Sequence, residues 1–238
     1  TSGNSYIVGS WDGNRLVFPN IVGSHVYLDN SGMTSGGSDF VSYQNTNYHL
    51  DENHDQDIFV AKMDSNGQWL WATSVHHYGV DSASSIAVSN GGDVFIGGTI
   101  QCSEGNSVTF PNLALSENTG SDPAGIVHSC NDAEPVGFVA SLDTNGAFTN
   151  AKVIENKPVF SSVTDVALDN KNDNTLYVIG KMGACSDNIG CPGTSDSYMI
   201  GKMKTDTMLN PATWKLDWLD FVNPNVVLTE IEMTMNGA

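Results

Sequence analysis

The chain has 238 residues, 39% of them hydrophobic, with 24 glycines, enough to bury a core in one or two domains and suited to a loop-rich β protein more than a helical one. Its 27 acidic residues against 9 basic ones leave a net charge of −18, which repels phosphate backbones and anionic lipid and favours cations and cationic partners. Neither a nucleic-acid partner nor membrane insertion is expected, since no apolar run approaches the length that spans a bilayer.

The opening residues, TSGNSYIVGS, lack the charged start and apolar centre of a signal peptide, which implies a leader already removed or a chain that begins inside a longer one. The first predicted strand is SYIVGSW (Ser5–Trp11), in which an aromatic, β-branched residues and Gly9 follow in order. The same order returns in VFIGGTI (Val94–Ile100) with Gly98 and in LYVIGKM (Leu176–Met182) with Gly180. A glycine at a fixed place in a strand marks a bulge or a close backbone approach. Long variable segments follow at about 12–56, 101–135 and 183–196. The first two share Phe-Pro-Asn (Phe18–Asn20 and Phe110–Asn112), expected to be a short extra strand or an anchor whose Phe covers the sheet.

The next strand, DIFVAKMD (Asp57–Asp64), returns as Val136–Asp143 and as Ser197–Lys204. After it comes QWLWATSV (Gln68–Val75), with counterparts at Ala147–Ile154 and Trp214–Val222. Between the two sets stand DSNG and DTNG, in which Asp64 and Asp143 can accept bonds from the turn backbone and Gly67 and Gly146 can take a positive φ. The remaining set, Ser84–Asn90, Thr164–Asn170 and Thr229–Asn236, alternates apolar with polar or small residues, the period of a half-buried strand.

Each repeat therefore reads strand, Asn/Gly turn, strand, long loop, strand, Asp-x-Asn-Gly turn, strand. This predicts an all-β fold, a β-propeller-type array of four-stranded antiparallel blades in one domain over 1–238. About three blade equivalents are present: 1–75 completed by strand 229–236 or by a neighbouring chain, then 84–154, then 164–222. Three blades would strain a closed ring, because propellers have four to eight. The expectation is a piece of a longer array, or a chain whose open ends are capped by neighbours through self-assembly.

Cys102, Cys130, Cys185 and Cys191 allow three pairings. The local pairs Cys102–Cys130 and Cys185–Cys191 would each staple a Gly- and Asp-rich loop, which implies an oxidising setting; four buried free thiols are the alternative. DENHDQD places Asp51, Asn53, Asp55 and Asp57 at alternate positions, oxygen donors that can wrap Ca²⁺, against the alternative of a solvated acidic loop. Two adjacent residues on a strand point to opposite faces, so His76 and His77 do not share a metal, and a structural or surface role is expected. Trp69 and Trp71, two apart, are expected on one face of their strand, packing between blades, as are Trp214 and Trp218; a sugar-stacking platform is the weaker alternative. No Ser-His-Asp order, H-E-x-x-H, G-x-S-x-G or phosphate-binding glycine loop occurs.

The stretch DIFVAKMDSNGQWLWATSV…DSASSIAVSNGGDVFIGGTI (Asp57–Ile100) closely resembles the SBBP-type β-propeller repeat of secreted and cell-surface bacterial and archaeal proteins. The likeness is looser over Val136–Met182 and degraded from Ser197. It implies the propeller fold and an extracellular or cell-surface address, and it supplies no catalytic residues. The function expected is a non-enzymatic structural or adhesive repeat module, a subunit or segment of a surface assembly or filament. Its rival is a carbohydrate-binding or carbohydrate-active domain, with a glycan partner held by the loops.

Overall fold

A computed structural model describes residues 3–12, 15–20, 23, 25–29, 42–44, 56–75, 79–102, 107–111, 125–130, 135–154, 160–169, 175–182, 198–204 and 216–222. β-Branched and aromatic residues alternating with small or polar ones form sixteen strands among them, because such side chains fit a pleated surface. In chain order these are β1 (Ser5–Trp11), β2 (Arg15–Phe18), β3 (Val26–Asp29), β4 (Ser42–Gln44), β5 (Asp57–Met63), β6 (Trp69–Val75), β7 (Ser82–Val88) and β8 (Val94–Gln101). They continue as β9 (Ser107–Pro111), β10 (Gly125–Ser129), β11 (Pro135–Leu142), β12 (Phe148–Val153), β13 (Phe160–Asp169), β14 (Thr175–Met182), β15 (Tyr198–Lys204) and β16 (Leu216–Val222). No helix occurs among the described residues.

Three principal sheets follow the repeat. The second runs β7-β8-β11-β12 and the third β13-β14-β15-β16, each an antiparallel meander in chain order. The first runs β1-β5-β6 and so holds the second to fourth strands of a unit. The strand expected to complete it, Thr229–Asn236, lies outside the described residues. Among the described residues the sheets do not close into a ring. They stack in succession: β7 packs against β1 and β5, as β13 packs against β8 and β11.

The repeated glycines sit where the sequence pattern places a bulge. The register of β7 on β8 skips a residue between Ala83 and Ser85, opposite Gly98 and Gly97. The register of β13 on β14 skips between Val163 and Asp165, opposite Gly180 and Ile179. A Cβ on Gly98 would stand 2.0 Å from the Ser82 carbonyl oxygen, so only glycine lets the bulged strand approach this closely.

The first two long segments contain short strands of their own, and the third, 183–196, lies outside the described residues. β2 and β9 each carry the phenylalanine that opens the Phe-Pro-Asn motif; β2 joins β3 and β4 in a small sheet, and β9 pairs with β10. The β3–β4 pair is parallel, an exception to the antiparallel pattern expected throughout. Phe18 lies 5.7 Å from Phe59 and 4.9 Å from Trp69, centroid to centroid. Phe110 lies 5.6 Å from Phe138 and 5.5 Å from Phe148, the corresponding residues of the second sheet. The anchoring phenylalanine is thus used twice in the same way.

One expectation is corrected. Trp69 and Trp71 do not share a face: Trp71 lies in the core between the first and second sheets, and Trp69 packs against the cluster of Trp11, Phe18, Val26 and Leu28 on the other side. The cause is a bulge, since Trp71 pairs with Lys62 and Trp69 with the adjacent Met63, and adjacent residues of a strand face opposite ways.

Candidate functional site

The Asp-x-Asn-Gly turns are local products of their sequence. Asp64 Oδ1 accepts the N–H groups of Asn66 and Gln68 at 2.8 and 2.9 Å. Asp143 Oδ1 accepts those of Asn145 and Ala147 at 2.9 and 3.0 Å. Gly67 and Gly146 take φ of +81° and +89°, a region that glycine enters without the clash a Cβ brings. Donation from Gln68, helped by Asn66, holds the Asp64 carboxyl below the ordinary aspartate value.

The second turn is also half of a joint. Lys62 Nζ and Trp71 Nε1, neighbours across β5 and β6, both donate to the Thr144 carbonyl, at 3.2 and 3.0 Å. Tyr6 pairs with Lys62 on the β1 side, its ring 5.3 Å below the ammonium and 6.3 Å from the Trp71 ring. Lys62 is buried, and a buried ammonium needs such partners. The row Tyr6–Lys62–Trp71 therefore clamps the first sheet onto the turn of the second. Sequence reading passed over Lys62; the signal was its recurrence as Lys202 in the third copy.

A second joint crosses from β7 to β13. Ser84 Oγ donates to the Val163 carbonyl at 2.6 Å, and Ser85 Oγ bonds Asp165 Oδ1 and accepts the Val166 N–H at 3.1 Å. Both strands are bulged here, which turns these polar groups toward each other. Elsewhere Asn20 of the Phe-Pro-Asn motif bonds Trp69 twice through its side-chain amide, to the carbonyl at 3.2 Å and from the N–H at 2.6 Å. It blunts the exposed edge of β6.

The sequence-predicted sites distribute as follows. Cys102 and Cys130 form a disulfide, Cα to Cα 5.3 Å, across the base of the β9–β10 hairpin; Cys185 and Cys191 lie outside the described residues. So do Asp51, Asn53 and Asp55, together with His54, His76, His77 and Trp214. Asp57, the last of the candidate calcium ligands, opens β5, pairs with Trp11 and is buried. Among the described residues no group of three or more His, Cys, Asp or Glu side chains converges to hold a metal. No helix among them is long and apolar enough to cross a membrane, and with the disulfide this is compatible with an extracellular location. Compared with known proteins, the sequence matches no family model and no curated protein.

Proposed function

We propose that the chain is a non-enzymatic, extracellular structural or adhesive module whose sheets are successive blades of a propeller-type array of the SBBP kind. The observation that carries this reading is the stacking of the first sheet on the second, where Lys62 and Trp71 of the first hold the Asp-x-Asn-Gly turn of the second, with residue types that recur in register in the third sheet. The buried Lys62 and the Ser85–Asp165 pair are spent on sheet-to-sheet bonds. A stack whose described sheets follow one another without closing suits a segment of a surface assembly, and the variable segments between strands offer contact area to protein neighbours.

Negative-stain electron microscopy of the purified protein tests the reading, with rings or filaments as the expected result. Saturable binding on a glycan panel, or turnover abolished by one carboxylate substitution, overturns it. Calcium on Asp51, Asn53, Asp55 and Asp57 belongs to the same proposal. Titration calorimetry with Asp55→Ala as control decides it, and absence of heat at millimolar calcium removes it.

A further inference from the structure

The joint between the first and second sheets has two halves, a row of donors on one sheet and a turn on the next. Each half recurs at an end of the molecule. Tyr177 pairs with Lys202 on β14 and β15, and Lys202 pairs with Trp218 on β16. This repeats the register of Tyr6, Lys62 and Trp71. Leu176, Val178 and Met203 face the second sheet in a shared core. Strand alternation therefore places Tyr177 and Lys202 on the far face, where both are half-buried.

At the other end stands the first sheet's own Asp64–Gly67 turn. Among the described residues no atom lies within 4 Å of the place a Cβ would occupy on Gly67, whereas one on Gly146 would stand 2.8 Å from the Trp71 indole. A Cβ on Gly92 would meet Thr144 and the Tyr6 hydroxyl; one on Gly3 would meet Ser65, the counterpart of Thr144, and nothing else described. Ile7 is 40% exposed on β1, while Ile96, at the same position of β8, is fully buried against the first sheet. The first sheet thus carries the surface that the second sheet uses; the small β2-β3-β4 sheet covers its Ala61 and Ala72, and among the described residues no principal sheet lies upon the Ile7 end.

We propose that a second copy of this chain docks head to tail, the far face of its third sheet covering Ile7 and the Asp64–Gly67 turn, with Lys202 donating to the Ser65 carbonyl as Lys62 donates to Thr144. Continuity with the joint already described favours this occupant, because the row Tyr177–Lys202–Trp218 repeats the register of the row whose Lys62 and Trp71 hold a turn of this kind. Lys202 is among only 9 Lys and Arg residues in a chain of net charge −18, and the turn it meets contains Asp64. One step along the strands Ile179 is already buried, so the contact forms at the Lys202 end of the face. Such a contact is heterologous, and it builds a ring or a filament according to its rotation. Two copies of three sheets would fall within the four to eight blades of known propellers.

The inference rests on the structural reading above, and its test separates the two. Sedimentation velocity is run on the full chain in high salt, where the mutual repulsion of acidic copies is screened. Wild type is expected above the 25.4 kDa of one chain. Ile7→Lys blocks the head and Lys202→Glu the tail. Each alone is expected to weaken association at least about tenfold, a loss of about 1.4 kcal/mol, and to sediment as a monomer with an unchanged melting curve. Mixed, the two variants keep one good head and one good tail between them and regain a complex. Wild type that stays at 25.4 kDa overturns the docking, as does either variant that still assembles or a mixture that does not. A variant that still assembles leaves the structural reading standing, which instead falls to glycan binding or turnover.

Discussion

Gly67 and Gly146 close the same turn in neighbouring sheets, with φ of +81° and +89°. A methyl group on the first would meet open space among the described residues, and on the second would strike the Trp71 indole at 2.8 Å. Four residues of local sequence set the backbone in both places, while the neighbouring sheet decides what the turn does. In the second sheet it is the acceptor of a joint; in the first it is a surface. The same contrast runs through the covering hairpins. Phe110 is fully buried between Phe138 and Phe148, which are themselves fully buried, and a disulfide ties the hairpin base. Phe18 packs on Phe59 and Trp69, both only partly buried.

The sharpest way to break this comparison is to remove the two anchors. Phe110→Ala is expected to cost about 3–5 kcal/mol, because the rings around it cannot collapse into the void. Phe18→Ala falls toward the lower end, about 3 kcal/mol, where the partly buried Phe59 and Trp69 can relax. Urea melts of the two variants check this, and equal losses would show that the covering hairpins contribute alike. Next is the staple. Replacing both Cys102 and Cys130 by Ser frees a loop with a sequence separation of 28; the chain-entropy account sets this at about 3–4 kcal/mol. Hydrogen exchange should locate the loosening in β9 and β10, with the β2–β3 hairpin unchanged.

A finer cut uses the glycines themselves. Gly67→Ala carries only the strain of a Cβ at positive φ, about 1 kcal/mol. Gly146→Ala carries that strain and a clash with Trp71 as well, so its loss in the same melts should exceed that of Gly67→Ala by at least about 1 kcal/mol. Similar losses would mean that the second sheet shifts freely on the first, and the clamp of Lys62 and Trp71 on Thr144 would be looser than its geometry implies.

The repeat was legible because its markers act locally. Asp64, Asp143, Gly67 and Gly146 announce a turn within four residues, and Gly98 and Gly180 announce a bulge within one strand. Phe18 and Phe110 were legible as anchors because a motif recurring inside a variable segment has a packing reason. What stayed hidden depends on register and on neighbours. The bulge at Lys62 and Met63, which sends Trp69 and Trp71 to opposite faces, leaves no mark in a period-2 reading. The parallel pairing of β3 with β4 brings together segments with little pattern in common. The clamp needed three strands in register before Tyr6, Lys62 and Trp71 became a row. In the second sheet the same row reads Phe95, Ser141 and Asn150, and the buried Asn150 amide finds no hydrogen-bond partner among the described residues. No sequence rule for the joint could have been drawn from all three copies.

The smallest expected effect is acid loosening of the first turn, and it isolates the local half of the comparison from the packed half. The Gln68 N–H, with Asn66 assisting, holds the Asp64 carboxyl below its ordinary value, so the folded turn binds its proton less readily than the unfolded chain does. The resulting stabilisation is complete above about pH 4, the unfolded value. It fades as pH falls from there through the lower folded value, where protonation takes charge from the acceptor that Asn66 and Gln68 share. Asp64→Asn should lose the charge-assisted part of these bonds at neutral pH, and it should flatten the acid dependence of the Gln68 amide protection factor while leaving that of Ala147 as in wild type. A variant whose Gln68 protection factor still falls in acid like that of wild type would show that packing across β5 and β6, not the Asp64 carboxylate, holds this turn closed.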